Sequence, residues 1–362
     1  MNTTTPRNKL QTIVYLLLLV ILGGWLLHIG QSLLIPIITA LISVYILVAA
    51  TDKLGTLPGF RHLPEWLRRL LVLVVFLAVS ALLLAVVIAT GEQMVAAAPK
   101  YQHNLQNMVG NIAAQLGLES LPDWRSVRAA TLAKINLQAV LGGVLGSVGS
   151  LLGLGMMVVI YAAFLMGERG SFAHKLEVAF PGEDARRTRQ VMTEVNRKIG
   201  TYLATKTLIN LILGVLSWLV LWFFGVDFAV FWALLIALLN YIPYVGSILG
   251  VVFPVVLSLA QFGSLATTLW LTAWLTAAQF SVGNILEPKM IGKQVNLSPF
   301  VVLVALSVWS SLWGIAGAIL AIPLTSVIAI VCAVSPTSRP LAVLLVDDVD
   351  AWAEDMRRQD EA

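Results

Sequence analysis

NYIPYVGSILG, residues 240–250, places an Asn, two Tyr, a Pro and two Gly inside one of the most apolar stretches of a 362-residue chain. Whether this is a surface loop or a deliberate break within a membrane decides the fold, and the surrounding composition answers it. Hydrophobic residues make up 59% of the chain and charged residues only 12%, with a mean hydropathy of +0.88. An ordinary soluble domain is about a quarter charged. The apolar runs are continuous and roughly 20 residues long, as a helix needs to cross about 30 Å of hydrocarbon, and they lack the ten-residue alternation of a barrel strand. The chain therefore reads as an all-α polytopic membrane protein.

Six runs have the length of a full span: 10–30, 33–50, 70–90, 144–167, 207–225 and 264–284. The first follows Arg7 and Lys9 as a signal sequence would, but its apolar core is too long and no small-residue cleavage site follows, so it reads as a retained span. The tight connection at Leu33 predicts a hairpin of the first two spans. Residues 1–90 thus form a three-span scaffold, and 91–143 a helical insert outside the bilayer with a break near Pro122. The fourth span, 144–167, carries GGVLG and GSLLG, which suit close helix packing.

Residues 168–206 are the most basic part of the chain, and Val191, Val195, Ile199 and Leu203 recur every fourth position. That spacing predicts an amphipathic helix at the cytoplasmic surface, resting on the membrane or coupling to moving spans and neighbouring subunits. With both termini cytoplasmic, only Lys100, Arg125, Arg128 and Lys134 of the 23 Lys and Arg fall outside, which satisfies the positive-inside rule. The acidic tail, 335–362, reads as a frayed cytoplasmic helix.

Two further apolar runs, 228–260 and 298–334, are interrupted. Their arms are too short on one side for a full crossing, so each reads as a re-entrant hairpin or a pair of short helices. The span from 207 runs outward into the first broken run, and the span from 264 runs inward into the second. This is one unit used twice in opposite orientations within a transport half, 207–334, and GSILGVVFP at 246–254 faintly echoes GAILAIP at 317–323. Paired broken helices in an inverted repeat point to a transporter's binding site.

Unwound backbone at bilayer depth is tolerated where protein or a water-filled cavity satisfies it. The residues that would break or hinge the backbone are Pro243, Gly246, Gly250 and Pro254 in the first run and Gly314, Gly317 and Pro323 in the second. Asn240, Tyr241, Tyr244 and Ser247, then Ser307, Ser310, Ser311 and Trp313, supply neutral hydrogen-bonding groups for a substrate path. Gln279 either lines that path or bonds across helices; Asn284 poses the same choice. The competing reading is that Ser and Tyr merely glue helices together. A neutral lining favours a small, neutral, polar solute. Asp227, the only charge between Thr207 and Asn284, is expected to cap a helix at the outer interface rather than carry a proton, and Glu287 and Lys289, at the cytoplasmic surface, to form a local salt bridge rather than a coupling-ion site.

Enzymatic and nucleic-acid functions find no support. The sequence has no GxxxxGK[ST] loop and no HExxH, its four His are scattered, and its single Cys332 excludes an internal disulfide and any cysteine-rich metal site. No cofactor or metal is expected. Protons or sodium could serve as coupling ion, and membrane lipids surround the spans.

NYIPYVGSILGVVFPVVLSL at 240–259 and NILEPKMIGKQVNLSPFVVLVALSVWSSLWGIAGAILAIPLTSVI at 284–328 resemble the two signature regions of the autoinducer-2 exporter family of bacterial inner-membrane proteins. The resemblance implies secondary export of small signalling or metabolic solutes in quorum sensing and related physiology. It also implies an elevator-like movement and a homo-oligomer, a homopentamer in some members. Some relatives are associated with sodium or lithium exchange for protons, so a sodium(lithium)/proton antiporter is the first alternative. A non-transporting membrane scaffold is the second, and a passive channel is a further possibility.

Overall fold

A computed structural model describes residues 6–115, 155–168, 175, 183–291, 296–334 and 338–360. Among these, every regular element is helical. The order is α1 (Pro6–Ile29), α2 (Gln31–Thr56), α3 (Glu65–Gln115), α4 (Gly155–Glu168), α5 (Glu183–Phe223), α6 (Ala229–Leu239), α7 (Val245–Phe262) and α8 (Leu265–Ser281). A π-helical turn (Val282–Leu286) then leads into α9 (Glu287–Ile291), followed by α10 (Pro299–Val334), α11 (Arg339–Leu345) and α12 (Val349–Asp360). Five of these helices contain stretches long and apolar enough to cross a bilayer: Gln31–Thr56, Glu65–Met108, Met192–Phe223, Val245–Phe262 and Pro299–Val334. The chain is an all-α, multi-pass membrane protein. It divides into two compact units, Leu47–Met156 with Thr201–Gln294, and Met1–Ile46 with Met157–Gly200 and Val295–Ala362.

In the first of these units no helix end falls at Gly91, where the extracytoplasmic insert is expected to begin. Residues 91–115 continue α3 as one helix of 51 residues, about 76 Å at 1.5 Å per residue. The sequence after Gly91 is rich in Ala, Gln and Met, strong helix formers, and the helix continues through Pro99 and Gly110 as well as Gly91. Met94, Ala98 and Tyr101, one face at helical spacing, are buried, and Met94 and Tyr101 join a core with Ile209, Leu213, Phe231, Trp232, Leu257, Leu271 and Leu275. The remainder of the insert, with Pro122, and the glycine patterns at 142–153 lie outside the described residues.

The expected division between a basic surface helix and a span at 207 is likewise absent: α5 runs unbroken through Lys206. Between Glu183 and Phe223 there is no Pro, and the two glycines, Gly200 and Gly214, are each tolerated at a cost of about 1 kcal/mol. Beyond Gly200 this helix buries Tyr202, Leu203, Lys206, Ile209, Asn210, Leu213, Ser217 and Leu221 on one side.

The run 228–260 does break within the opening stretch. Helix α6 ends at Leu239, residues 240–244 turn, and α7 starts at Val245, with Tyr244 held at φ 60°, ψ −56°. Pro243 removes a donor at the point where helical bonding lapses. The two arms pack so closely that a Cβ on Gly246 would lie 1.8 Å from the Leu239 carbonyl oxygen, and one on Gly250 3.5 Å from Ile236. Pro254 is not a hinge. It lies buried inside α7, a helix that continues on both sides of it.

In the other unit α10 has one interruption, at Trp313 (φ −130°, ψ 15°) and Gly314 (φ 59°, ψ −137°). Glycine alone adopts the second pair of angles without strain. Pro323, expected to break the run, instead sits within the second arm. The arms are tied by the Trp309 indole, which donates to Thr325 Oγ1 at 3.2 Å. The Trp313 indole donates to Leu27 O at 2.9 Å, one of the last-turn carbonyls that α1 leaves without a helical partner.

The acidic tail is more anchored than its composition suggests. Ser298 N–H donates to Leu345 O, and Asn296 Oδ1 accepts the N–H groups of Asp347 and Asp348. Asp348 then caps α12 by accepting from Ala351 N–H at 2.9 Å.

Candidate solute site

Within the Leu47–Met156 and Thr201–Gln294 unit, the break after α6 places Asn240 among side chains from three elements. Gln279 Nε2, from α8, donates to Asn240 Oδ1 at 3.1 Å. Asn240 Nδ2 donates to Asn210 Oδ1, on α5, at 2.8 Å. Asn210 is 3% exposed and Asn240 8%, and the Asn210 Nδ2 makes no well-formed hydrogen bond among the described residues, although its side chain lies against the Tyr241 hydroxyl. A buried amide donor left unpaired costs about 1–3 kcal/mol, so this chain of amides ends in a group that a bound oxygen acceptor would stabilise.

Beside it, Tyr241 OH and Thr207 Oγ1 lie 2.7 Å apart. The Thr207 hydroxyl proton is directed to Leu203 O at 2.7 Å, so Tyr241 is the donor of the pair. The cluster is uncharged throughout. A lone ion there would be poorly compensated, whereas a neutral solute bearing hydroxyl or carbonyl groups would exchange hydrogen bonds with it.

The structure thus brings Asn240, Tyr241 and Gln279 together and adds Asn210 and Thr207, which the sequence reading passed over. An amide in the apolar run LINLILGVL was the available signal for Asn210. The other expected residues are placed differently. Tyr244 is 54% exposed, and Ser247 donates to the Tyr244 carbonyl. Ser307 and Ser311 are exposed and Ser310 is half-buried, and all three donate to carbonyls of their own helix, at Leu303 and Ser307. That is the bonding a serine makes when it serves its own helix. Asn284 likewise donates to Phe280 O.

Two charged side chains depart from expectation. Glu287 pairs with Lys206 of α5, 81 residues away, rather than with Lys289. A residue two positions along a helix does not share its face, whereas α5 presents an ammonium directly. Lys206 Nζ lies 2.5 Å from Glu287 Oε1, with the Lys206 side chain 6% exposed and that of Glu287 28%. Asp227 does not cap α6: the cap position is Phe228, with no side-chain bond. Its carboxylate accepts from Tyr101 OH at 2.8 Å, and its N–H donates to Gln261 Oε1 at 2.8 Å. Gln261 also bonds Gly225 O, and Asn104 Nδ2 donates to Gln261 O at 2.7 Å. This network fastens the far end of α3 to both ends of the α6–α7 hairpin. Tyr101→Phe removes its one bond to a charged group, so unfolding in mixed detergent should show a loss of about 1.5–3 kcal/mol.

The broken run 228–260 thus contributes to a buried, uncharged polar cluster within a multi-pass helical membrane protein. Comparison with known proteins gives the kind. The AI-2E family transporter profile matches residues 15–336, and the chain belongs to that family, one of transport proteins and not of enzymes. It is 29% identical over 332 residues to the putative transport protein YhhT of Escherichia coli strain K12, covering 91% of each chain. It is 27% identical over 355 residues to the AI-2 transport protein TqsA of the same strain, covering 94% of this chain and 96% of the relative. A putative transport protein of Borreliella burgdorferi is 38% identical over 177 residues, 49% of each chain.

Proposed function

We propose that the chain is a secondary transporter of the bacterial inner membrane that exports a small, neutral, polar metabolite or signalling molecule. Autoinducer-2 is the first candidate, since a relative matching nearly end to end is named as its transport protein. The observation that carries the reading is the chain of amides Gln279, Asn240 and Asn210, buried, uncharged and ending in an unpartnered donor. A hydroxyl or carbonyl oxygen of the solute takes that donor, and Tyr241 and Thr207 lie alongside. Of the other substrate-path residues, Tyr244 and Ser247 belong to the route at the first broken run, and Ser307, Ser310, Ser311 and Trp313 to the route at the second. Movement is elevator-like, in a homo-oligomer for which a pentamer is the first expectation.

The test is counterflow. Proteoliposomes of the purified chain are preloaded with unlabelled autoinducer-2 and given a trace of labelled solute outside. Transient accumulation is expected, and Asn240→Leu, with both its amide bonds gone, should lower it about tenfold or more, the equivalent of a single buried polar contact. Full counterflow in a well-folded Asn240→Leu would remove the amide chain from the site, and none in the parent would remove this solute.

A further inference from the structure

Among the described residues Lys206 is the only lysine or arginine that is buried, and its partner Glu287 is the half of the pair that remains accessible. The pair sits beside the amide cluster. Lys206 precedes Thr207 directly and lies one helical turn from Asn210, about 6 Å along the axis and on the same face of α5. Tyr202, one turn the other way on that face, is buried and lies near both Glu287 and Tyr241. One side of α5 therefore carries Tyr202, Lys206 and Asn210 in line. The groups that face Glu287 are Tyr202 and Lys206 from α5, with Tyr241 of the turn beyond them; Lys289, on its own helix, points to another face.

We propose that Glu287 carries the coupling proton and that Lys206 is an internal cation which trades places with the solute at the amide cluster. The inference rests on the transport reading above. With Glu287 ionised, the ammonium is held at the carboxylate and the cluster is open to solute. A proton arriving at a Glu287 carboxylate oxygen neutralises it, while Lys206 keeps its own three protons and its charge. A buried ammonium without a counter-charge is costly. Its flexible four-carbon stem turns along the same face of α5 toward the oxygens of Asn210 and Asn240, with those of Tyr241 and Thr207 alongside, and it displaces the solute from them. Loss of the proton to the other side returns Lys206 to Glu287 and reopens the cluster. One proton moves inward for each neutral solute moved outward, so the exchange carries one positive charge and is driven by both the pH gradient and the potential.

The test uses the reconstituted full chain and Lys206→Met/Glu287→Gln, which removes both charges and so leaves neither stranded. Without solute, an acid-minus-alkaline infrared difference spectrum should contain a protonated-carboxyl band in the parent that the double variant lacks. The same band in both would overturn the assignment of the proton. With the potential clamped, vesicles acid inside should accumulate labelled autoinducer-2 about tenfold per pH unit, the value for one-to-one exchange. A double variant that still follows the imposed gradient would also overturn it. Glu287→Gln alone, with Lys206 left to occupy the cluster, should raise the solute concentration for half-maximal counterflow about tenfold or more, and adding Lys206→Met should bring it back; no rise would sink the exchange of places. A parent without counterflow counts against autoinducer-2 as the solute, whereas the infrared band still decides whether Glu287 takes the proton.

Discussion

Gly317→Ala and Gly246→Ala should each unfold at much lower denaturing-detergent fractions than the parent, with a loss of at least about 3 kcal/mol. A Cβ on Gly317 would stand 1.9 Å from the Trp309 carbonyl oxygen and 2.6 Å from its carbon, and one on Gly246 1.8 and 2.5 Å from the same atoms of Leu239. Overpacking absorbed by side chains already costs about 1–3 kcal/mol, and here the obstacle is backbone, so the turn itself must open. The correspondence between the two sites is physical. In each broken run the first turn after the break folds back onto the last turn before it, and only a hydrogen fits between them. These are the leading glycines of GSILG and GAILA, the short echo visible in the sequence. Gly24→Ala is the control: it lies within α1, an added Cβ meets nothing within 4 Å, and the change should stabilise by about 0.5–1 kcal/mol. A Gly317→Ala protein that behaved like Gly24→Ala would show that the α10 arms do not close on one another. Gly314 fails differently, for there an added Cβ meets open space but φ is +59°.

The positions of the breaks were legible because their causes are local. Pro243 lacks its donor and Gly314 has positive φ, and neither depends on a distant partner. Pro254 and Pro323 carry the same residue type without the same result, because helices packed among others tolerate a proline whose freed carbonyl finds another partner. The helix boundaries at 91 and 207 misled for a related reason. Both rested on a change from apolar to polar composition, and a helix can leave an apolar layer without ending. Composition reports the surroundings of a helix; only Gly, Pro and capping residues report its ends. The site was half legible: Asn240 and Gln279 stood out as amides in apolar runs, and Tyr241 by its place in the break. Asn210 meets the same criterion, but it lies in an unbroken run, where an amide also serves to bond neighbouring helices. The Lys206–Glu287 pair could not be seen at all, since a lysine closing a basic stretch gives no sign that its partner lies 81 residues on.

That pair gives the second large expected effect, an asymmetry between its two halves. Breaking a buried ion pair from one side costs about 3–5 kcal/mol when the survivor cannot reach water. Glu287→Gln strands Lys206, whose side chain is 6% exposed, and should fall in that range. Lys206→Met strands Glu287, which at 28% exposure keeps contact with solvent, and should cost distinctly less. The double change to Met and Gln removes both charges and should recover most of the loss, because buried pairs replaced by neutral side chains are often no less stable. Unfolding midpoints of the four proteins in mixed detergent measure the cycle directly, and equal costs for the two single changes would mean that both charges are equally solvated. The cluster one turn away makes a finer distinction. If the stranded ammonium is received by the oxygens around Asn210, Glu287→Gln should sit at the low end of the range, and adding Asn210→Leu should deepen the loss by more than Asn210→Leu costs on its own. Strict additivity of the two changes would mean that Lys206 never reaches the cluster, and an internal cation that cannot reach the site cannot compete there with a solute.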